Sequence, residues 1–123
     1  MKILIVEDDV LMAKTIEFRL KKDGYEVVLA PDGREALKFI TEFDFDLVVS
    51  DIMLPFNSGL EVLNFLKSKT NNNTPIIMLS SFGAENIILE AFNLGADDYI
   101  TKPFSPIELS LRVKRLLKKL SKN

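Results

Sequence analysis

The stretch ILIVEDD at residues 3–9 places four aliphatic side chains directly before three carboxylates. The same order recurs in LVVSD at 47–51, and the stretch DDYITKP at 97–103 ends in a lysine and a proline. Short continuous apolar runs are typical of strands in a parallel sheet that is covered on both faces. If these strands are parallel neighbours, four carboxylates and one ammonium meet at the carboxyl edge of the sheet.

A cluster of carboxylates is unfavourable by itself, because like charges at short range repel and raise one another's pKa. It normally needs a cation, and hard oxygen ligands suit Mg²⁺ or Ca²⁺. We expect Asp8 and Asp51 each to give one oxygen to an octahedral magnesium that keeps several waters, with Glu7 joining directly or through a water. Acidic residues after strands are also common helix N-caps, and Asp9 fits that role.

Composition narrows the kind of protein. The 123 residues, 47% of them apolar and 28% charged, are typical of one soluble globular domain. The absence of cysteine and histidine excludes disulfides, thiolate metal sites and phosphohistidine chemistry on this chain. No apolar stretch reaches the roughly 18 residues of a membrane span, and the N-terminus opens on a strand pattern rather than a signal peptide. We therefore expect a cytoplasmic protein.

Strand-like and helix-like segments alternate five times along the chain. The patterns predict strands at 2–7, 25–29, 46–51, 75–80 and 97–101, and helices at 10–22, 33–42, 59–69, 84–94 and 106–120. Capping-box spacing supports three of the helix starts, after Asp32, Ser58 and Ser105.

Five such units, joined by right-handed crossovers, predict an α/β fold: a doubly wound parallel five-stranded sheet of flavodoxin-like order 2-1-3-4-5. In such sheets ligands bind outside the carboxyl ends of the strands, where the order switches. That point lies between the first and third strands, beside Glu7, Asp8 and Asp51.

Four segments, in matching order and spacing, carry a resemblance to a known family. They are ILIVEDD at 3–9, LVVSDIMLP at 47–55 followed by Gly59, IIMLSS at 76–81, and GADDYITKPFSP at 95–106. On these segments the chain resembles the receiver domain of two-component response regulators, including the single-domain chemotaxis type. The resemblance covers essentially the whole length, so residues 1–123 are expected to form one receiver domain. The ending is most similar to receivers that precede a winged-helix DNA-binding domain.

The resemblance implies a phosphoryl-transfer site. Asp51 matches the phosphoacceptor, Glu7 and Asp8 match the acidic pair that holds Mg²⁺, and Met53 matches the residue whose backbone carbonyl completes the protein ligands. The phosphohistidine donor belongs to a partner, a sensor histidine kinase or a phosphotransfer protein. An ionised aspartate is already a nucleophile, so the reaction needs no histidine base. The chain is then no enzyme in the usual sense, because it catalyses only its own phosphorylation and slow autodephosphorylation.

The remaining matches imply how the signal is passed on. Ser80 matches the hydroxyl that bonds the phosphoryl group, and Lys102 matches a lysine that contacts a phosphoryl oxygen. Tyr99 matches the aromatic rotamer switch. Pro103 matches a proline that is typically cis. Phosphorylation in the family remodels the surface of the fourth helix, fifth strand and fifth helix. Receivers that precede a winged-helix domain typically dimerise through this surface, so the similarity of the ending implies transcription regulation and makes this surface the candidate homodimer interface. Contact with DNA is expected only through an effector domain that these residues do not include.

Some positions depart from the family pattern. Asp98 and Arg112 are candidates for a charged pair across the dimer, yet Ile88 and Asn93 stand on the fourth helix where charged partners are expected. Phe82 stands where related chains often carry a polar side chain, and we expect it to shield the phosphoryl group from water. The segment 56–58 replaces a loop that commonly contains glycine.

Three other kinds of protein remain as alternatives. A flavodoxin-like binding protein would cradle phosphate with Ser, Thr and Gly where this chain has acidic residues at 7–9. A small Mg-dependent aspartyl-phosphate phosphatase would carry a second aspartate at Met53. A nucleic-acid binder would use the basic side chains of the last helix, which are also explained by the helix dipole and by solvation: Arg112, Lys114, Arg115, Lys118, Lys119 and Lys122.

Overall fold

Five strands alternate with five helices in the computed structural model, which describes residues 1–71, 73–81 and 85–121. The strands are β1 Lys2–Val6, β2 Glu26–Ala30, β3 Leu47–Asp51, β4 Ile76–Ser81 and β5 Asp98–Lys102. The helices are α1 Val10–Lys22, α2 Gly33–Glu42, α3 Gly59–Thr70, α4 Glu85–Asn93 and α5 Pro106–Ser121. Each boundary lies within one residue of its predicted position. Phe82, with its expected shielding role, and Lys122 of the basic set lie outside the described residues.

The strands form one parallel sheet in the order β2-β1-β3-β4-β5, which confirms the predicted doubly wound α/β fold. The register pairs Val6 of β1 with Ser50 of β3, so that the residues that follow them, Glu7 and Asp51, leave the sheet at the same level. Between the last two strands of the sheet, Ser81 of β4 pairs with Lys102 of β5. The carboxyl ends of the four strands β1, β3, β4 and β5 therefore lie along one edge.

The sheet separates two apolar cores. Leu4 and Val6 of β1 point to one face and pack in a cluster with residues of α2 and α3. Ile3 and Ile5 point to the other face, where residues of α1 and α5 cover them. All four side chains are fully buried, which is why the strand reads as a continuous apolar run. Burial of one such side chain stabilises the folded state by about 1.5–3 kcal/mol. The strand that carries Glu7 at its end is therefore held firmly in the core.

Side chains at the helix starts satisfy the first free amides of the helices. Asp9 accepts a hydrogen bond from the Met12 amide at 3.1 Å, and this confirms its predicted role as the cap of α1. Ser58 and Glu61 form the complete reciprocal capping box at the start of α3. The caps let α1 and α3 begin within a few residues of Glu7 and Asp51. No described helix has the length and apolar character needed to cross a membrane.

Candidate functional site

Three carboxylates meet at the carboxyl edge of the sheet. Glu7 and Asp8 directly follow β1, and Asp51 is the last residue of β3. One carboxylate oxygen from each lies within 4.8 Å of the others. Glu7 is 2% exposed and Asp51 is 6% exposed, whereas Asp8 lies open to solvent. The three residues that were predicted to come together are therefore neighbours in space, with one side of the group open.

The ammonium group of Lys102 bridges two of these carboxylates. Lys102 ends β5, and its side chain reaches past the end of β4 to lie 2.8 Å from Glu7 Oε1 and 2.5 Å from Asp51 Oδ2. The peptide bond between Lys102 and Pro103 is cis, as the family resemblance implies. Lys102 thus pairs with two of the three clustered acidic side chains, Glu7 and Asp51.

Burial and pairing act in opposite directions on these groups. Burial raises the pKa of the Glu7 carboxyl, and the nearby charge of Asp51 adds to this. Hydrogen bonds from Lys102 and from the Asp9 amide offset part of that rise. Burial by itself lowers the pKa of Lys102, but its hydrogen bonds to Asp51 and Glu7 outweigh burial and raise that pKa above its ordinary value. The ammonium therefore stays charged at neutral pH.

The backbone after Asp51 folds closely against that residue. The Met53 amide donates a hydrogen bond to Asp51 Oδ1 at 3.3 Å, while the Met53 side chain is 71% exposed. The Gly59 amide donates to the Ile52 carbonyl at 2.8 Å. A Cβ at Gly59 would lie 2.1 Å from the Asp51 carbonyl oxygen, which leaves no room for a side chain. The sequence matches Gly59 to the family pattern but does not show why glycine stands there. The structure gives the reason, which is the close approach of the Asp51 carbonyl oxygen.

Ser80 lies on β4, which pairs with β3, and Tyr99 lies on β5, the edge strand beside β4. Ser80 is 4% exposed, and its hydroxyl donates to the Ser81 carbonyl at 3.2 Å. The Tyr99 ring packs against the core between the sheet and α3, with its centroid 6.5 Å from that of Phe92 on α4. Its buried hydroxyl has no hydrogen-bond partner among the described residues. The structure places both residues on the strands where the sequence predicted them.

The Asp98–Arg112 pair forms within the chain. Arg112 Nη1 lies 2.8 Å from Asp98 Oδ1, and Arg115 Nη2 lies 3.2 Å from Asp98 Oδ2. Asp98 is buried on β5, so both arginines of α5 converge on it. The sequence analysis considered Asp98 and Arg112 for a contact between two chains, and in the isolated chain they instead tie α5 to β5.

Comparison with known proteins identifies the family. The family model for the response regulator receiver domain matches residues 3–114, and the chain belongs to that family. Receiver domains are regulatory phosphoacceptors of two-component systems, work with histidine kinases or phosphotransfer proteins, and bind Mg²⁺ at an acidic pocket.

Solved structures agree with this assignment. The receiver domain of the Francisella response regulator 1452 is 38% identical, with a TM-score of 0.87, and the match covers 96% of this chain and 97% of that chain. A response regulator from Chloroflexus aurantiacus is 37% identical, with a TM-score of 0.88 and coverage of 95% and 97%. A CheY-like receiver domain protein from Methanospirillum hungatei is 32% identical, with a TM-score of 0.93 and coverage of 98% and 96%.

The residues at the sheet edge fit magnesium. The donors are carboxylate oxygens within 4.8 Å of one another, and the chain has no histidine or cysteine that would favour a softer metal. Two of the three carboxylates, those of Glu7 and Asp51, are held at buried strand ends, and the third, that of Asp8, is exposed to solvent.

Proposed function

We propose that this chain is a phosphoacceptor switch in which Asp51 takes a phosphoryl group from a phosphohistidine of a sensor kinase or a phosphotransfer protein. A bond forms between an Asp51 carboxylate oxygen and phosphorus, and the phosphorus–nitrogen bond of the donor breaks. The electron pair of that bond stays on the donor imidazole. The observation that carries the proposal is the meeting of Glu7, Asp8 and Asp51 with the Lys102 ammonium at one sheet edge.

The other residues hold and neutralise charge. Glu7, Asp8, Asp51 and the backbone carbonyl of Met53 are assigned to Mg²⁺, which when bound supplies positive charge next to the equatorial phosphoryl oxygens. The Lys102 ammonium, which pairs with Glu7 and Asp51 in the unphosphorylated protein, contacts a phosphoryl oxygen. Such positioning and charge neutralisation account for most of the catalysis of phosphoryl transfer.

The acyl phosphate then changes the surface of the domain. It adds roughly one unit of negative charge and new acceptor oxygens at a buried strand end. The Ser80 hydroxyl turns from the Ser81 carbonyl to the phosphoryl group, and the Tyr99 ring moves inward behind it. This two-state shift reshapes the face formed by α4, β5 and α5. Residues 1–123 act as one receiver domain in the cytoplasm, and the reshaped face regulates an output such as transcription or homodimer formation.

Membership of the receiver family favours this function over the phosphatase and over the flavodoxin-like binding protein. The phosphatase would need an acid or base at position 53, and the Met53 thioether is neither. The flavodoxin-like protein would need phosphate-binding backbone amides without surrounding acid, whereas Glu7, Asp8 and Asp51 crowd the same edge.

Labelling with a small phosphodonor tests the proposal. We expect acetyl phosphate with MgCl₂ to add one phosphoryl group to the intact protein, as read by mass spectrometry. No label should form when a chelator replaces MgCl₂ from the start of the reaction, or in the Asp51→Asn variant. Asp9→Asn is the matched control, because Asp9 caps α1 and should leave labelling intact. Continuous release of phosphate without a labelled protein would instead identify a phosphatase.

A further inference from the structure

Phe56 has an unusual backbone conformation for an aromatic residue. It lies in the loop between β3 and α3, residues 52–58, which we call the metal loop because it includes Met53. Its φ angle of 69° is in the left-handed region, which glycine adopts freely and bulky residues rarely adopt. Its ring is also 68% exposed, so burial of the ring does not explain the conformation.

One face of the Phe56 ring contacts a cation from helix α2. The guanidinium carbon of Arg34, in the first turn of α2, lies 4.1 Å from the centroid of the Phe56 ring. This is within the range of a cation–π contact, and the planar guanidinium is the cation best suited to stack on an aromatic face. The contact therefore joins the first turn of α2 to the middle of the metal loop.

Backbone contacts place the same two elements against each other. The Gly33 amide donates to the Pro55 carbonyl at 3.3 Å, and a Cβ at Gly33 would lie 1.8 Å from the Asn57 carbonyl oxygen. At the start of the metal loop, the Ile52 amide donates to the Leu79 carbonyl of β4 at 2.9 Å. The loop is thus held at both ends, and Met53 lies between the two points of attachment.

We infer that Arg34 and Phe56 are positioning residues that hold the metal loop, and with it the Met53 backbone, against Asp51 and so set the affinity of the site for Mg²⁺. This inference rests on the proposed function, because that function assigns the Met53 carbonyl to the metal. Neither side chain belongs to the carboxylate cluster itself. Their effect passes through the Met53 amide, which donates to Asp51 Oδ1 at 3.3 Å.

The direction of the change in Mg²⁺ affinity distinguishes a positioning role of Arg34 from a purely electrostatic one. Arg34 is a cation on the helix beside an acidic site, so removal of its charge alone would raise the affinity for a divalent cation. Loss of positioning would instead lower the affinity for Mg²⁺, because the metal must then order a mobile loop when it binds. Lys38 is the matched control, since it is an exposed cation one turn further along the same helix.

Calorimetric titration of the metal-free protein with MgCl₂ at constant ionic strength tests the inference. We expect Arg34→Ala and Phe56→Gly each to weaken Mg²⁺ binding about tenfold, the lower end of the effect of groups that orient metal ligands. Phe56→Tyr keeps the ring and should bind like the native protein, and Lys38→Ala should show unchanged or slightly tighter binding. Glycine accepts the left-handed conformation, so the Phe56→Gly variant is not expected to lose its fold.

Amide hydrogen exchange without metal provides a second readout. The amides of Met53 and Leu54 should exchange faster in Arg34→Ala than in the native protein, and at the native rate in Lys38→Ala. Native Mg²⁺ affinity in both Arg34→Ala and Phe56→Gly would overturn the inference and leave the proposed function intact. If the native protein itself binds no Mg²⁺, the proposed function falls together with the inference.

Discussion

At Lys102 a single ammonium lies 2.8 Å from Glu7 Oε1 and 2.5 Å from Asp51 Oδ2. Both carboxylates are buried, and a buried charge is tolerated only when it is paired. In the metal-free protein the lysine therefore serves as the counter-charge that keeps two like charges together. In the function proposed above, the same ammonium contacts a phosphoryl oxygen after phosphorylation.

Lys102→Gln tests this role as a counter-charge. We expect the variant to lower the free energy of unfolding by about 2 kcal/mol in metal-free buffer, because Glu7 and Asp51 are left as buried like charges without a partner. Urea denaturation with a chelator present measures the change. The double variant Lys102→Gln, Asp51→Asn should regain part of the loss, since one of the two charges is then removed. A Lys102→Gln protein as stable as the native one would contradict the prediction.

At the scale of the elements, Asp23 joins two helices that are far apart in sequence. It caps the C-terminus of α1, where its carboxylate lies 2.8 Å from Arg19 Nη2. The same carboxylate accepts a hydrogen bond from the Ser110 hydroxyl of α5 at 2.5 Å. Burial acts to raise the pKa of Asp23, but the bonds from Ser110 and Arg19 outweigh it and hold that pKa below its ordinary value.

A lowered pKa in the folded state makes the contribution of Asp23 depend on pH. Its stabilisation is fully present above the ordinary aspartate pKa and is lost as the pH falls through the lowered, folded-state pKa. We expect Asp23→Asn to cost about 1 kcal/mol at neutral pH, because one charge-assisted hydrogen-bond network is weakened. Urea denaturation across the acid range should show the difference from the native protein shrinking as Asp23 becomes protonated. A difference that grows towards acid pH would contradict this.

At the scale of the whole molecule, the sheet order gathers the site. β1 and β3 are neighbours although α1, β2 and α2 lie between them in sequence, and β5 reaches the same edge through β4. The two apolar cores hold these strands from both faces, so the ends that carry Glu7, Asp51 and Lys102 keep their distances. A ligand bound at this edge therefore contacts several of the segments that must separate when the protein unfolds.

Magnesium should for this reason stabilise the whole fold. An ion that binds only the folded state at a concentration a hundredfold above its dissociation constant adds about 2.7 kcal/mol to the free energy of unfolding. Thermal or urea unfolding with and without MgCl₂ measures this gain. We expect Asp51→Asn to lose most of the gain and Asp9→Asn to keep it. An equal gain in both variants would place the ion elsewhere on the protein.

The positions of the elements were predictable because their signals are local. Apolar runs mark the buried strands, and cap residues such as Asp9 and Ser58 mark helix starts within a few positions. The carboxylate cluster was predictable because parallel strands in the order 2-1-3-4-5 place Glu7 and Asp51 side by side. Those arguments need only the pattern of the chain and the general rules of parallel sheets.

Contacts between side chains distant in sequence were not predictable in the same way. The pairing of Asp98 with Arg112 depends on how α5 lies against β5, and in this chain it forms within one molecule. The stack of Arg34 on Phe56 depends on the close approach of Gly33 to the metal loop, which no local pattern encodes.

The sequence by itself determined the order of strands and helices, the receiver fold and the residues that gather at the carboxyl edge, because periodicity, caps and strand-end motifs are properties of short segments. The tertiary structure decided how those groups share charge: the Lys102 bridge, the raised pKa of Glu7 and the support of the metal loop by α2. These depend on burial and on distances of a few ångströms between separate elements, which are defined only once the two cores have packed.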